Sequence, residues 1–286
     1  MTFSFQTRPN NYSGNIAVVG IPFDKNSSYL RGPALAPRRI RESLFCESSN
    51  MWTEDLIDLG GFSGWDLLDD MRVSGRENVF ERIENEIRQL LKRRLRVISL
   101  GGDHSITYPI IRAYGEGYQN LNILHLDAHP DLYDEFDGNQ YSHACPFARI
   151  MEENKAARLV QVGIRTMDGH QYEQAKRFGV EVIQMKDIGK TGQIKFDGPV
   201  YLSLDLDCLD PAYAPGVSHH EPGGMSTREV LGIIRNFKGR LVGADIVEYN
   251  PERDLHGMTG MVAGKLLKEI IGRMLGRRLS SSALPE

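Results

Sequence analysis

The sequence predicts an α/β protein: a three-layer α-β-α arrangement on a mostly parallel sheet of about eight strands. Three observations predict it. Short apolar, β-branched runs recur along the chain. Stretches with helical periodicity lie between them. Several of the runs are apolar almost throughout, as parallel strands covered by helices on both faces must be. No shift in composition and no internal repeat divides the 286 residues, so 1–286 reads as a single domain.

In chain order, the candidate strands are Ile16–Val19, Leu56–Leu59, Arg96–Leu100, Asn122–Asp127, Leu159–Val162, Val180–Ile183, Val200–Asp205 and Leu241–Val247. An amphipathic helix precedes the third: Val79, Phe80, Ile83, Ile87, Leu90 and Leu91 recur at three- and four-residue intervals. Ser226 and Glu229 form a capping-box pattern ahead of Val230, Leu231, Ile233 and Ile234. Met258, Met261, Val262, Leu266, Ile270 and Met274 mark the last helix. Two long loops rich in turn residues, 132–142 and 209–224, follow the fourth and seventh strands, on the side where open α/β sheets place their sites.

The totals bound the function. Lys plus Arg number 34 and Asp plus Glu 38, a formal charge of -4, which favours neither nucleic acid nor an anionic membrane as partner. No apolar run approaches the ~20 residues that a spanning helix needs. The three cysteines, Cys46, Cys145 and Cys208, form no CxxC and no disulfide framework, which points to a reducing compartment. The first residues, MTFSFQTRPNNYSG, carry no apolar core of a signal peptide and are not Arg-rich, so a cytoplasmic location is expected.

The chemistry gathers at strand ends. Asp127-Ala128-His129-Pro130-Asp131 and Asp205-Leu206-Asp207 each follow an apolar run, with metal-type ligands two residues apart. Side chains i and i+2 of a strand share a face, so Asp127 with His129, and Asp205 with Asp207, should project together. His104, from Gly101-Gly102-Asp103-His104-Ser105, completes a set of four carboxylates and two imidazoles. A buried site cannot hold that much negative charge without cations. Oxygen-rich ligation with two histidines and no cysteine in register suits Mn²⁺, with Ni²⁺, Co²⁺ or Fe²⁺ as alternatives. Two such ions roughly 3.5 Å apart could share a water and generate hydroxide near neutral pH, a nucleophile for a resonance-stabilised carbon.

The segments GGDHS, LDAHPD and SLDLDCLDP resemble the three signature blocks of the ureohydrolase (arginase/agmatinase) family. The similarity runs from Val18 to about Leu267, and DLYDEFDGNQYSHACPFARIME is most similar to plant-type arginase/agmatinase-like members. The resemblance implies an arginase/deacetylase-like fold. It implies that His104, Asp127, Asp131 and Asp205 hold one ion, and that His129, Asp127, Asp205 and Asp207 hold the other. It makes His143 the mobile histidine that moves protons, although Ala144 follows it where many members have glycine. It makes Glu248 the partner of the substrate's guanidinium, which a carboxylate grips through two hydrogen bonds. Homotrimers or homohexamers are implied as well.

The implied reaction is hydrolysis of the guanidino group of L-arginine or agmatine to urea and an amine, ornithine or putrescine. Asn139 and Ser142 are candidates for the substrate tail, and Asp168 for its amino group. Asp134, Glu135 and Asp137 in the same loop favour agmatine if they face the pocket and are silent if they face solvent. Other guanidino compounds (guanidinobutyrate, guanidine), a metal-dependent deacetylase and a catalytically silent binding subunit are the alternatives. His125 is read as a buried structural histidine, Asp103 as support for His104, and His219 as loop or entrance wall.

Overall fold

Parallel pairing runs through a sheet of eight strands in the computed structural model, which describes residues 14–61, 63–73 and 78–276. The strands are β1 (Ile16–Gly20), β2 (Trp65–Leu67), β3 (Arg96–Leu100), β4 (Asn122–Leu126), β5 (Arg158–Ile164), β6 (Glu181–Gln184), β7 (Lys195–Asp205) and β8 (Lys238–Val247). Their order across the sheet is β2-β1-β3-β8-β7-β4-β5-β6, with every neighbouring pair parallel.

Seven helices occur among the described residues: α1 (Ala36–Leu44), α2 (Val79–Lys92), α3 (Thr107–Gly117), α4 (Pro146–Glu152), α5 (Gly169–Phe178), α6 (Thr227–Asn236) and α7 (Met258–Leu275). Strand alternation sends Ile16 and Val18 to one core with residues of α1, α6 and α7, such as Ile40, Ile234 and Leu267. It sends Ala17 and Val19 to a second core with residues of α2 to α5, such as Ile87, Ile110, Phe147 and Ala175. The expected three layers are therefore present. Among the described residues, no helix is long and apolar enough to cross a membrane.

The second strand lies elsewhere than its sequence suggests. Leu56 takes a left-handed conformation (φ 58°), and 52–58 close on themselves through a bridge between Trp52 and Asp58. The edge strand is Trp65–Leu67, whose indole donates to the Leu59 carbonyl at 3.0 Å. An apolar run made a strand pattern, but its turn geometry made it a loop that still buries Ile57 and Leu59. The predicted capping box at Ser226 and Glu229 is present, with both reciprocal bonds.

Candidate metal centre and active site

Four central strands, β3, β8, β7 and β4, deliver the site from their carboxyl ends. After β3 the chain turns through Gly101-Gly102 into the His104 turn that opens α3. A Cβ on Gly102 would lie 1.7 Å from the Phe23 carbonyl oxygen, so only glycine lets the segment after β1 pack this closely. Asp103 caps the turn through the Ser105 N–H and accepts the Asn26 N–H at 2.8 Å. Burial first, and Glu248 second, push the Asp103 carboxyl up to about 7.

After β4 and β7 the pairing of ligands arises from turns rather than from strand alternation. Asp127 already lies beyond β4 and accepts the His129 N–H at 2.6 Å. Asp205 ends β7 and accepts the Asp207 N–H at 2.8 Å. Each first Asp thus folds the chain back so that the residue two places on shares its side. Asp131 follows with φ 51°, and Glu248 after β8 has φ 63°, both in the left-handed region that side chains seldom adopt. Backbone strain at two residues that both approach His104 is a mark of a functional site.

The side chains converge as two sets that share Asp127. The His104 Nδ1 lies 3.1 Å from Asp127, 3.0 Å from Asp131 and 3.1 Å from Asp205. The His129 Nδ1 lies 3.0 Å from Asp207 and 3.4 Å from Asp127. All but His129 are buried. Burial opposes the charged form of both imidazoles, yet the surrounding carboxylates push them well above the ordinary value. Asp205 is pushed well above the carboxylate range by burial and by Asp207 and Asp127. Asp127 is held well below that range, against burial, by His125, His104 and His129.

These groups fit divalent cations. The His104 Nδ1 is buried with no hydrogen-bond partner while three carboxylate oxygens converge on it. Its other nitrogen is occupied: the Nε2 lies 3.0 Å from the Ser203 hydroxyl, which donates to Asp245 at 2.8 Å. That chain gives the Nε2 proton a partner, so a cation that displaced the proton on Nδ1 would meet its lone pair, the state a metal ligand needs. His104, His125, Asp127 and Asp131 offer ligand atoms within 4.8 Å of one another, and so do Asp127, His129 and Asp207. His125 is instead spoken for, bonding Asp127 at 2.7 Å and the Gln161 amide at 3.1 Å. Cys208 is buried next to Asp207 but belongs to neither set.

Beside the two sets, the His143 Nδ1 bonds the Glu248 Oε1 at 2.8 Å. Burial works against the imidazolium, but Glu248 pushes His143 up to about 9. Glu248, against burial, is lowered by His143. Its Oε1 also accepts the His104 N–H at 2.8 Å, whereas its Oε2 is buried without a partner. His219 stands over this pair, its ring 5.2 Å from His143 and 5.8 Å from His129.

The tail candidates are more dispersed. Asn139 donates to the Asn26 side chain at 3.2 Å and caps the Tyr141 N–H at 2.9 Å. Ser142 is buried next to His143. Asp168 is exposed and caps α5, with the Tyr133 hydroxyl on its other oxygen at 2.8 Å. Glu135 and Asp137 are exposed, and Asp134 bonds Gln174 of α5 at 2.5 Å. Sequence reasoning missed Asn26, Ser28, Ser203 and Gln161. For Ser203 and Gln161 the signal was present: a polar residue inside an apolar strand must find a buried partner.

The fold and site together define a metal-dependent hydrolase of the ureohydrolase type. The Arginase family model matches residues 14–272, and the chain belongs to that family. It is 46% identical over 281 residues to arginase 1, mitochondrial, of Arabidopsis thaliana, covering 90% of this chain and 80% of that protein. It is 47% identical over 280 residues to arginase 1, mitochondrial, of Oryza sativa subsp. indica, covering 90% and 81%. The solved arginase of Medicago truncatula superposes with a TM-score of 0.86 at 42% identity, covering 92% of this chain and 88% of the other. The chain is thus an amidinohydrolase of this family.

Both plant relatives are named as mitochondrial, which overturns the cytoplasmic expectation. Free cysteines suit any reducing compartment, and an organelle address is read from a targeting segment rather than from the folded domain. Residues 1–13, on which that expectation partly rested, lie outside the described residues.

Proposed function

We propose that this protein is a binuclear manganese hydrolase that cleaves the guanidino group of L-arginine to urea and ornithine. The observation that carries it is the Glu248 Oε2, a buried carboxylate oxygen with no partner, beside a His/Asp set built for two cations. A planar, permanently charged guanidinium supplies the N–H donors that this oxygen lacks. In this reading His104, Asp127, Asp131 and Asp205 would hold one ion, and His129, Asp127, Asp205 and Asp207 would hold the other. Bound Mn²⁺, or Ni²⁺, Co²⁺ or Fe²⁺ in its place, supplies an acidic water as nucleophile at neutral pH.

The chain's own residues do the rest. Glu248 orients the guanidinium, and its Oε1 keeps His143 in place. His143, held cationic, gives a proton to the departing amine. The walls formed by Ser142, His143 and Glu248 are buried and keep bulk water from competing.

Arginine is preferred to agmatine for two reasons. Glu135 and Asp137 are exposed and Asp134 is engaged by Gln174 of α5, so solvent and α5 rather than a substrate carboxylate would meet these charges. The relatives named above are arginases. Asn139 and Ser142 would meet the carboxylate and Asp168 the amino group. Agmatine, converted to putrescine, is the second reading. Assembly as a homotrimer or homohexamer is part of the proposal, and sedimentation of the metal-loaded protein tests it.

Urea release from arginine, agmatine, guanidinobutyrate and guanidine, measured after loading with Mn²⁺ and then Ni²⁺, tests the function. Arginine should be the best substrate. No urea from any of them would sink the reading, and acetate release from acetylated polyamines would favour a deacetylase. Glu248→Ala should lower kcat/KM for arginine by at least about 100-fold and keep the metal content, since it removes a charge-paired contact and no ligand. Asp127→Ala should lose bound metal together with activity.

A further inference from the structure

Ser28 is an exposed residue of the segment between β1 and α1, far in sequence from every signature block. Its hydroxyl lies 2.8 Å from the His143 Nε2, and its backbone N–H points at the same nitrogen from 3.2 Å. The opposite ring nitrogen is held by the buried Glu248 at 2.8 Å. The order Glu248–His143–Ser28 is therefore continuous from the buried site to the surface. Ser28 is itself fixed from the site's side. Two residues earlier, the Asn26 carbonyl accepts the backbone N–H of His143 at 3.1 Å, and the Asn26 backbone N–H donates to Asp103 at 2.8 Å. The Asn26 side chain also bonds Ser105 at 3.1 Å and Asn139 at 3.2 Å.

The two Ser28 groups differ in kind. A backbone N–H can only donate, so it satisfies an Nε2 that carries a lone pair. A hydroxyl oxygen can accept, so it satisfies an Nε2 that carries a proton. One residue thus offers a partner for each state of the ring, and the ring need not turn when its charge changes. We infer that Ser28 is the positioning residue of His143, and that its hydroxyl passes protons between the His143 Nε2 and solvent. The proton on Nε2 moves to the Ser28 oxygen as the hydroxyl's own proton moves to a surface water. The ring is left neutral, with its remaining proton on Nδ1 against Glu248 and Nε2 accepting from the Ser28 N–H, and the reverse sequence restores the cation. No bond to carbon forms and water is the only co-reactant.

The same connectivity, hydroxyl to imidazole to carboxylate, occurs where a serine attacks an acyl carbon. Here Ser28 is exposed and its own backbone N–H occupies the Nε2 lone pair that a base would use to take the hydroxyl proton, which argues against that use.

The inference rests on the ureohydrolase reading, and the two can fail separately. Ser28→Ala and Ser28→Thr are compared with the parent, all loaded with Mn²⁺, for urea formation from L-arginine. The alanine variant should lose about tenfold in kcat with KM and metal content within twofold, as a lost proton path would. Threonine, which keeps the hydroxyl, should restore most of it, and added imidazole buffer should restore the alanine variant alone. Carbethoxylation of His143, mapped by mass spectrometry, should be several-fold faster in Ser28→Ala than in the parent or Ser28→Thr, because Nε2 is laid open. This second readout holds whether or not urea is formed. An unchanged kcat in Ser28→Ala, a loss that buffer does not relieve, equal labelling of His143 in all three proteins, or covalent capture of Ser28 by a fluorophosphonate would each overturn it. A parent that forms no urea while labelling follows the expected order would remove the proposed reaction and keep Ser28 as the partner of His143.

Discussion

Single residues in this site carry two demands at once, one chemical and one conformational. Asp131 points a carboxylate at His104 from a left-handed backbone. Asparagine tolerates that backbone and removes the charge. Asp131→Asn should therefore weaken Mn²⁺ binding by titration calorimetry and leave the unfolding free energy of the metal-free protein within about 1 kcal/mol. A large loss of stability would mean that the charge, not the conformation, holds the turn. His143 makes a pH prediction for the metal-free protein. Its folded pKa, about 9, lies above the unfolded 6.5, so the proton favours the folded state. That contribution is complete below pH 6.5 and disappears as pH rises through about 9. Denaturant titrations should show the advantage of the parent over His143→Asn shrinking across that window, by at most roughly 3 kcal/mol. A difference that stays flat from pH 6 to 9.5 would rule out the buried ion pair as its origin.

Elements differ in how far their sequences announce them. Helix α6 is announced by its cap. Ser226→Ala should cost about 1 kcal/mol in a denaturant titration without changing bound metal, since it frees one N–H of α6 and removes no ligand. The central strands were legible for another reason: burial on both faces leaves β4 and β7 so apolar that His125 and Ser203 stand out. Helix α3 was not legible. It is buried nearly all round, so no polar stripe marks it, and Pro109 sits in it. That proline is tolerated because the first turn of a helix has no partner for its N–H. Strand β2 is short and half-buried, so the apolar run of Ile57 and Leu59 outweighed it. The ligands were legible because each lies at or just past the end of an apolar strand, whereas Asn26 and Ser28 lie in a loop whose meaning depends on what the fold brings beside it. The substrate tail was least legible, because whether Glu135 and Asp137 face the cavity is decided by the path of a loop, not by its composition.

At the scale of the whole molecule, the site is a store of repulsion. Asp127, Asp131, Asp205 and Asp207 are drawn together by the ends of two strands, β4 and β7, and the imidazoles of His104 and His129 offset only part of their charge. Ions that bind only the folded chain stabilise it by mass action. Stripping the protein with a chelator should lower its melting temperature, and Mn²⁺ should restore it in proportion to the logarithm of its concentration. A melting temperature indifferent to both would contradict a metal centre at these residues.

The position of β8 gives the chain a particular history. Among the described residues it is the last strand in chain order, yet it lies between β3 and β7 and alone joins β2-β1-β3 to β7-β4-β5-β6. Until Lys238–Val247 leaves the ribosome, the nascent chain holds two half-sheets with two naked edges and no place to gather its ligands. Its most hazardous moment therefore comes just before β8 emerges, and a ribosome stalled short of β8 should shed an aggregate rather than a weakened enzyme.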